Sequence, residues 1–152
     1  MNAELKKRIL VAAPPEAVTR LSKALGEEFD LVFCHSLSLA HTLLTQCRFD
    51  VILGGMHFDD SRVFDFIRLA RAQERYADVP IVCVKAFDGV LPSRAYDGVK
   101  RAIRLLGAEA FVDLAEYRRI YGKEEASQML LDTIRAALQS SCQKAVAQQP
   151  AA

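Results

Sequence analysis

The chain has 152 residues, 51% of them apolar and 26% charged, with 20 Lys and Arg against 19 Asp and Glu for a formal net charge of +1. That length suits one domain whose core needs no disulfide or metal, and the near-balanced charge creates no global field toward nucleic acid or membrane. Residues 1–8 lack a signal peptide's apolar region, and no apolar run nears the roughly 20 residues that span a bilayer, so a cytoplasmic location is expected.

The elements alternate in kind. Ile9-Leu10-Val11 reads as a first strand. Pro14 and Pro15 open a helix with Val18, Leu21 and Leu25 on one face and Gly26 at its end. A second strand spans 29–34. Ser36 or Ser38 caps a second helix carrying Leu39, Ala40, Leu43, Leu44 and Cys47. Val51-Ile52-Leu53 is apolar throughout, as a parallel strand covered on both faces must be. Asp59 or Asp60 caps a third helix with the stripe Val63, Phe66, Ile67 and Ala70. A fourth strand spans 79–84, with Pro80 near its start. A loop with Gly89 and Pro92 leads to Ser93, which caps a fourth helix with Ala95, Val99, Ala102 and Leu106 inward and Gly107 at its end. Ala110-Phe111-Val112 is a short fifth strand. A last helix runs from about 124 to 141 with Leu130, Ile134 and Ala137 inward, and a Gln/Ala/Pro-rich tail follows.

Strand-helix alternation argues for an α/β domain with a parallel sheet, helices on both faces and right-handed crossovers. Five units in this length fit the flavodoxin-like doubly wound sheet of order 2-1-3-4-5. In that fold, functional groups gather at the carboxyl ends of the strands. No P-loop, Rossmann fingerprint, flavodoxin-type Ser/Thr-rich phosphate loop or Gly-x-Ser-x-Gly elbow is present. His35, His41 and His57 show no metal-ligand spacing with cysteines. Cys34, Cys47, Cys83 and Cys142 form no Cys-x-x-Cys pair and read as small hydrophobes rather than redox or metal groups.

Four runs carry a family resemblance: Ile9-Leu10-Val11, Phe49-Asp50-Val51-Ile52-Leu53, Val79-Pro80-Ile81-Val82 and Gly107-Ala108-Glu109-Ala110-Phe111. In order and spacing the chain resembles a bacterial response-regulator receiver domain from about residue 7 to 138. The Pro before the fourth strand and the Gly-Ala-x-x-aromatic run are the more specific features. The resemblance implies a receiver-like domain over 7–141, with 1–6 and 142–152 as flexible tails.

It also implies a pocket of five groups. Two acidic residues after strand one and an acceptor Asp after strand three hold Mg²⁺, and a Thr or Ser after strand four and a Lys after strand five bind the phosphoryl oxygens. In this chain the acidic pair falls on Ala12-Ala13 or Ala13-Pro14, the acceptor on Gly55, the hydroxyl on Lys85 and the Lys on Leu114. All five are changed. The resemblance therefore points to a pseudo-receiver: a protein-interaction module of bacterial signal transduction that works without phosphorylation, is not an enzyme and uses no cofactor or metal.

Two other readings stand beside it: a phosphoacceptor displaced to Asp59 or Asp60, and a small-ligand-binding flavodoxin-like domain. His57 reads as a loop histidine. The Lys85 ammonium, if it is not simply at the surface, can occupy the space that Mg²⁺ would take and pair with Asp113. Phe111 stands at the position of the family's switch aromatic. The expected interaction face lies on the fourth helix, fifth strand and last helix. It carries Arg101, Arg104, Leu105, Tyr117, Arg118, Arg119, Tyr121, Leu131 and Leu138. The partner is a signalling protein or a second copy of the chain; nucleic acid is disfavoured.

Overall fold

The computed structural model describes residues 5–87 and 95–147. Its strands are β1 (Arg8–Ala12), β2 (Asp30–Cys34), β3 (Val51–Gly55), β4 (Ile81–Lys85) and β5 (Ala110–Asp113). They form one parallel sheet in the order β2-β1-β3-β4-β5. β2 and β4 begin slightly later than the sequence pattern predicts, within the usual scatter of element ends.

Side chains alternate across the sheet and feed two cores. On one face Ile9, Val11, Val51, Leu53, Val82, Val84 and Val112 meet α1 (Val18–Leu25) and α6 (Lys123–Ala147) through Leu21, Leu25, Leu130 and Ile134. On the other face Leu10, Ile52, Ile81 and Cys83 meet α2 (Leu37–Gln46), α3 (Val63–Arg71) and α4 (Ala95–Leu105) through Ala40, Leu44, Phe66, Ile67 and Ile103. Burying such a side chain fully is worth about 1.5–3 kcal/mol, so the strands are held from both sides. The Arg71 guanidinium clamps one end of the molecule. It donates to the carbonyls of Tyr76 and Val79 at 2.6 and 2.7 Å and to that of Gly107 at 2.6 Å.

The helices depart from the sequence reading in four places. First, neither Asp59 nor Asp60 caps α3. Arg62 holds the cap position and makes no side-chain cap bond. Second, the inward stripe of α4 adds Tyr96 and Ile103 to the expected Val99 and Leu106, which are half-buried and pack against the α2–α3 core; Ala102 is half-buried. The expected cap Ser93 and the loop positions Gly89 and Pro92 lie outside the described residues. Third, the stretch between β5 and the last helix, to which the sequence pattern assigns no element, is a helix. α5 (Leu114–Tyr121) is capped by Asp113, whose Oδ1 accepts from the Glu116 amide at 3.0 Å. Gly122 then breaks the chain at φ 91°, a left-handed conformation that L side chains rarely adopt. Fourth, α6 continues through 142–147, so that part of the expected tail is helical.

Candidate functional site

The carboxyl ends of β1 and β3 meet where the resemblance places a phosphoacceptor pocket. Ala12 turns toward the α2–α3 core, whereas Ala13 turns toward the α1–α6 core. Ala13 and Pro14, not Ala12, line the cleft with Gly55, and Met56, His57, Val84 and Ala86 close it. Its volume is about 10 Å³, at the threshold for a single water. A Cβ on Gly55 would stand 3.2 Å from the Ala12 carbonyl oxygen and 3.3 Å from Ala13 Cβ. A side chain at this position would need β1 to give by a few tenths of an ångström. No carboxylate lines the cleft. Mg²⁺ takes oxygen ligands and is usually held through carboxylates, so these residues do not fit the metal that the resemblance implies. Among the described residues, no group of three His, Cys, Asp or Glu side chains is placed to hold a metal.

Leu114, at the family's Lys position, is buried in the α1–α6 core at the start of α5. Lys85 ends β4 on the Cys83 side of the sheet and is not part of the cleft lining. Its ammonium lies 3.4 Å from Asp113 Oδ2 and 4.8 Å from the centre of the Tyr96 ring. It is therefore not where the Mg²⁺ would be. Lys85 is only 6% exposed. Register explains the pairing, because Lys85 and Asp113 are direct partners on β4 and β5. Asp113 therefore does two things at once: it holds the ammonium and caps α5. Phe111, two residues earlier on the same side of β5, is half-buried. Its ring lies 6.5 Å from that of Tyr96, and the Lys100 ammonium stands 5.4 Å over it.

The loop after β3 is anchored by Phe58, which is fully buried edge-on to Phe66 with ring centres 5.4 Å apart. Asp59, Asp60 and Ser61 follow with φ of 42°, 54° and 67°, a left-handed region that Asp visits more readily than most residues. Asp59 Oδ2 accepts from the Leu37 amide at 2.8 Å. Ser36 Oγ accepts from the Leu39 amide at 3.1 Å, so two first-turn amides of α2 are satisfied by side chains. Asp60 and His57 are exposed.

The expected interaction face does not form one patch. Leu105 is 83% exposed on α4, with Arg101 and Arg104 exposed nearby on the same helix. Across the sheet, α5 presents Ile120 at 60% and Tyr121 at 55% exposure, beside the exposed Arg119. Tyr117 packs edge-on against Tyr121, and Arg118 is half-buried. Leu131 and Leu138 are half-buried and pack against the α1–α6 core. The cysteines divide by depth. Burial pushes the thiols of Cys34 and Cys83 up to about 12, which keeps them protonated and inert at neutral pH. Cys142 is exposed.

Three features escaped the sequence reading. The helical nature of 114–121 was signalled by a capping box, Asp113-x-x-Glu116, and a following glycine. Tyr96 was signalled by its place one turn before Val99 and two before Ile103 on an amphipathic helix. The third, a groove between α1 and the α5–α6 corner, left no signal, because its walls come from four distant segments.

No protein-family model matches the sequence, and no curated protein matches it either. Solved structures do match. The signal receiver domain of an HD domain-containing protein from Pseudomonas fluorescens superposes with a TM-score of 0.68 at 16% identity, covering 95% of this chain and 94% of that one. A CheY-like response-regulator receiver domain protein from Methanospirillum hungatei gives 0.66 at 13% identity, over 93% and 99% of the two chains. The chemotaxis response regulator CheY4 of Vibrio cholerae gives 0.63 at 18%, over 88% and 98%. At such identities the likeness is one of fold, and the fold is that of CheY-like receiver domains. Among the described residues, no helix is long and apolar enough to cross a membrane.

Proposed function

We propose that this chain is a pseudo-receiver: a cytoplasmic signalling module that binds protein partners without being phosphorylated. The closed cleft carries this reading. It has Gly55 at the acceptor position, Ala13 and Pro14 at the acidic positions and a volume of about 10 Å³. Phosphoryl transfer is catalysed by positioning and by cations that neutralise the transferred group, and this cleft offers no carboxylate, Lys or Arg, with His57 as the titratable residue of its lining. Asp59 is a poor substitute, since its carboxylate is engaged by the Leu37 amide. The surface best suited to a partner is the outer side of α4, where Leu105 forms an apolar centre beside Arg101 and Arg104. Apolar centres with charged rims are the usual anatomy of interfaces, and Arg is enriched in them.

Two measurements test this. Beryllofluoride or acetyl phosphate with Mg²⁺ should leave the amide spectrum unchanged and add no phosphoryl mass. A phosphoaspartate mapped to Asp59 or Asp60 would replace this reading with a displaced acceptor. Leu105→Glu should abolish self-association or partner binding in sedimentation experiments, with stability changed by no more than about 0.5 kcal/mol. Unchanged association in that variant would remove α4 as the binding surface.

A further inference from the structure

A groove far roomier than the cleft lies elsewhere in the described structure. It runs between α1 and the corner where α5 meets α6, with a volume of about 560 Å³. A shallower lobe of about 300 Å³ continues it beneath α5. The two share Arg20, Phe87, Arg118 and Lys123. Volumes in this range match those of small-ligand sites.

The two lobes differ in charge. The lobe beneath α5 is lined by Arg20, Arg118, Arg119 and Lys123 with no carboxylate. The larger groove along α1 and α6 is mixed, with Glu16, Glu27 and Glu124 beside Lys23 and the shared Arg20, Arg118 and Lys123. Arg20 is pre-oriented: its guanidinium lies 4.5 Å over the Phe87 ring and donates to the Ala86 carbonyl. Arg118 and Lys123 have no ion-pair partner among the described residues. Away from this basic end, Ala24 and Leu131 supply an apolar wall, and Thr19, Ser127 and Gln128 supply uncharged hydrogen-bonding groups.

A basic lobe opening into a groove of mixed charge with apolar and hydrogen-bonding walls fits a ligand with an anionic end and a body of hydroxyl and amine donors, from which the glutamates can accept. Guanidinium forks match phosphate oxygens in geometry as well as charge. A free phosphate would leave most of the groove unused. We propose that this groove binds a nucleoside polyphosphate, with its phosphates among Arg118, Lys123 and Arg20 and its nucleoside along Ala24, Leu131 and Gln128. The inference does not depend on the partner-binding role proposed above. It gives the domain a non-covalent anionic input adjacent to the cleft, since Phe87 borders both.

The test is titration calorimetry with ADP, ATP and pyrophosphate on the full chain. One ADP or ATP should bind with a Kd below about 1 mM, and more tightly than pyrophosphate. Lys123→Glu and Arg118→Glu should each weaken binding at least about tenfold, whereas Lys100→Glu on α4 should not. Lys123 is the first residue of α6, where a carboxylate favours the helix dipole, so Lys123→Glu should fold at least as stably as the parent. Absence of saturable nucleotide binding would overturn the proposal. So would binding that Lys123→Glu and Arg118→Glu leave unchanged, or pyrophosphate binding as tightly as the nucleotides.

Discussion

At the carboxyl edge of the sheet, the two faces are built in opposite ways. On the Val84 face, Ala13, Pro14 and Gly55 close an apolar cleft with room for barely one water. One residue further along β4, on the Cys83 face, a buried lysine is held by a carboxylate and an aromatic ring. Mapping a family pocket onto a sequence finds positions along strands. It does not say to which face each replacement turns. Lys85 occupies a pocket position by alignment, yet its charge is spent on the far side, on a β5 partner that also caps α5. Sequestering an ammonium there costs several kcal/mol in desolvation, so the attraction to Asp113 and the Tyr96 ring mainly offsets that cost. One face carries a cleft with no carboxylate, and the other carries charges that depend on each other.

The charged face should break most easily. Asp113→Ala removes the partner of a buried cation and the cap of α5 together. The expected loss is about 3–5 kcal/mol in urea unfolding, of which about 1 kcal/mol belongs to the cap. Asp113→Asn keeps a capping side chain while removing the charge, so it should recover roughly the cap's share. If both variants lie within about 1 kcal/mol of the parent, Lys85 is not held by this pair.

The apolar face should respond less, and in a way that bears on function. Gly55→Asp presses a Cβ onto the backbone of β1 and places a carboxylate in a cleft without Lys or Arg. A loss of about 2–3 kcal/mol is expected from overpacking and unpaired burial. The variant should still take no phosphoryl group from acetyl phosphate, because one carboxylate restores neither the other metal ligands nor the missing Lys at Leu114. Mg²⁺-dependent labelling of Gly55→Asp would mean that the cleft opens far more readily than its packing implies.

The contrast also marks what the sequence made legible. Sheet order and the two-faced burial of β3 and β4 could be read because uniformly apolar strands between amphipathic helices leave few other topologies. The strand ends that border the cleft could be placed for the same reason, since they are fixed by the flanking patterns. The choice between Ala12 and Ala13 could not, because a one-residue shift exchanges the faces of a strand. The roles of Asp59 and Tyr96 were hidden as well. Each acts on a distant segment: Asp59 on the Leu37 amide across the α2–α3 gap, Tyr96 on Lys85 from another element. α5 was masked for a different reason. Its tyrosines and arginines resemble a binding loop in composition, although its capping box and glycine stop are local helix signals.

The smallest expected effect separates two meanings of the buried pair. Lys85→Met keeps the length and most of the volume of the side chain and removes the charge. Asp113 would retain its bond to the Glu116 amide, and its carboxylate is 18% exposed, so water can reach it. Replacing a buried ion pair by well-packed apolar atoms is often close to neutral, so stability should change by less than about 1 kcal/mol in either direction. The pair would then matter for where α4 and β5 sit rather than for how firmly the domain folds. Chemical shifts of Tyr96 and Phe111 should report this, since both rings lie in the cluster around the ammonium. Near-neutral stability with shifted ring signals would mean that the charge positions the α4–β5 surface. A loss of about 3 kcal/mol or more would make the pair a net stabiliser and undo the contrast between the two faces.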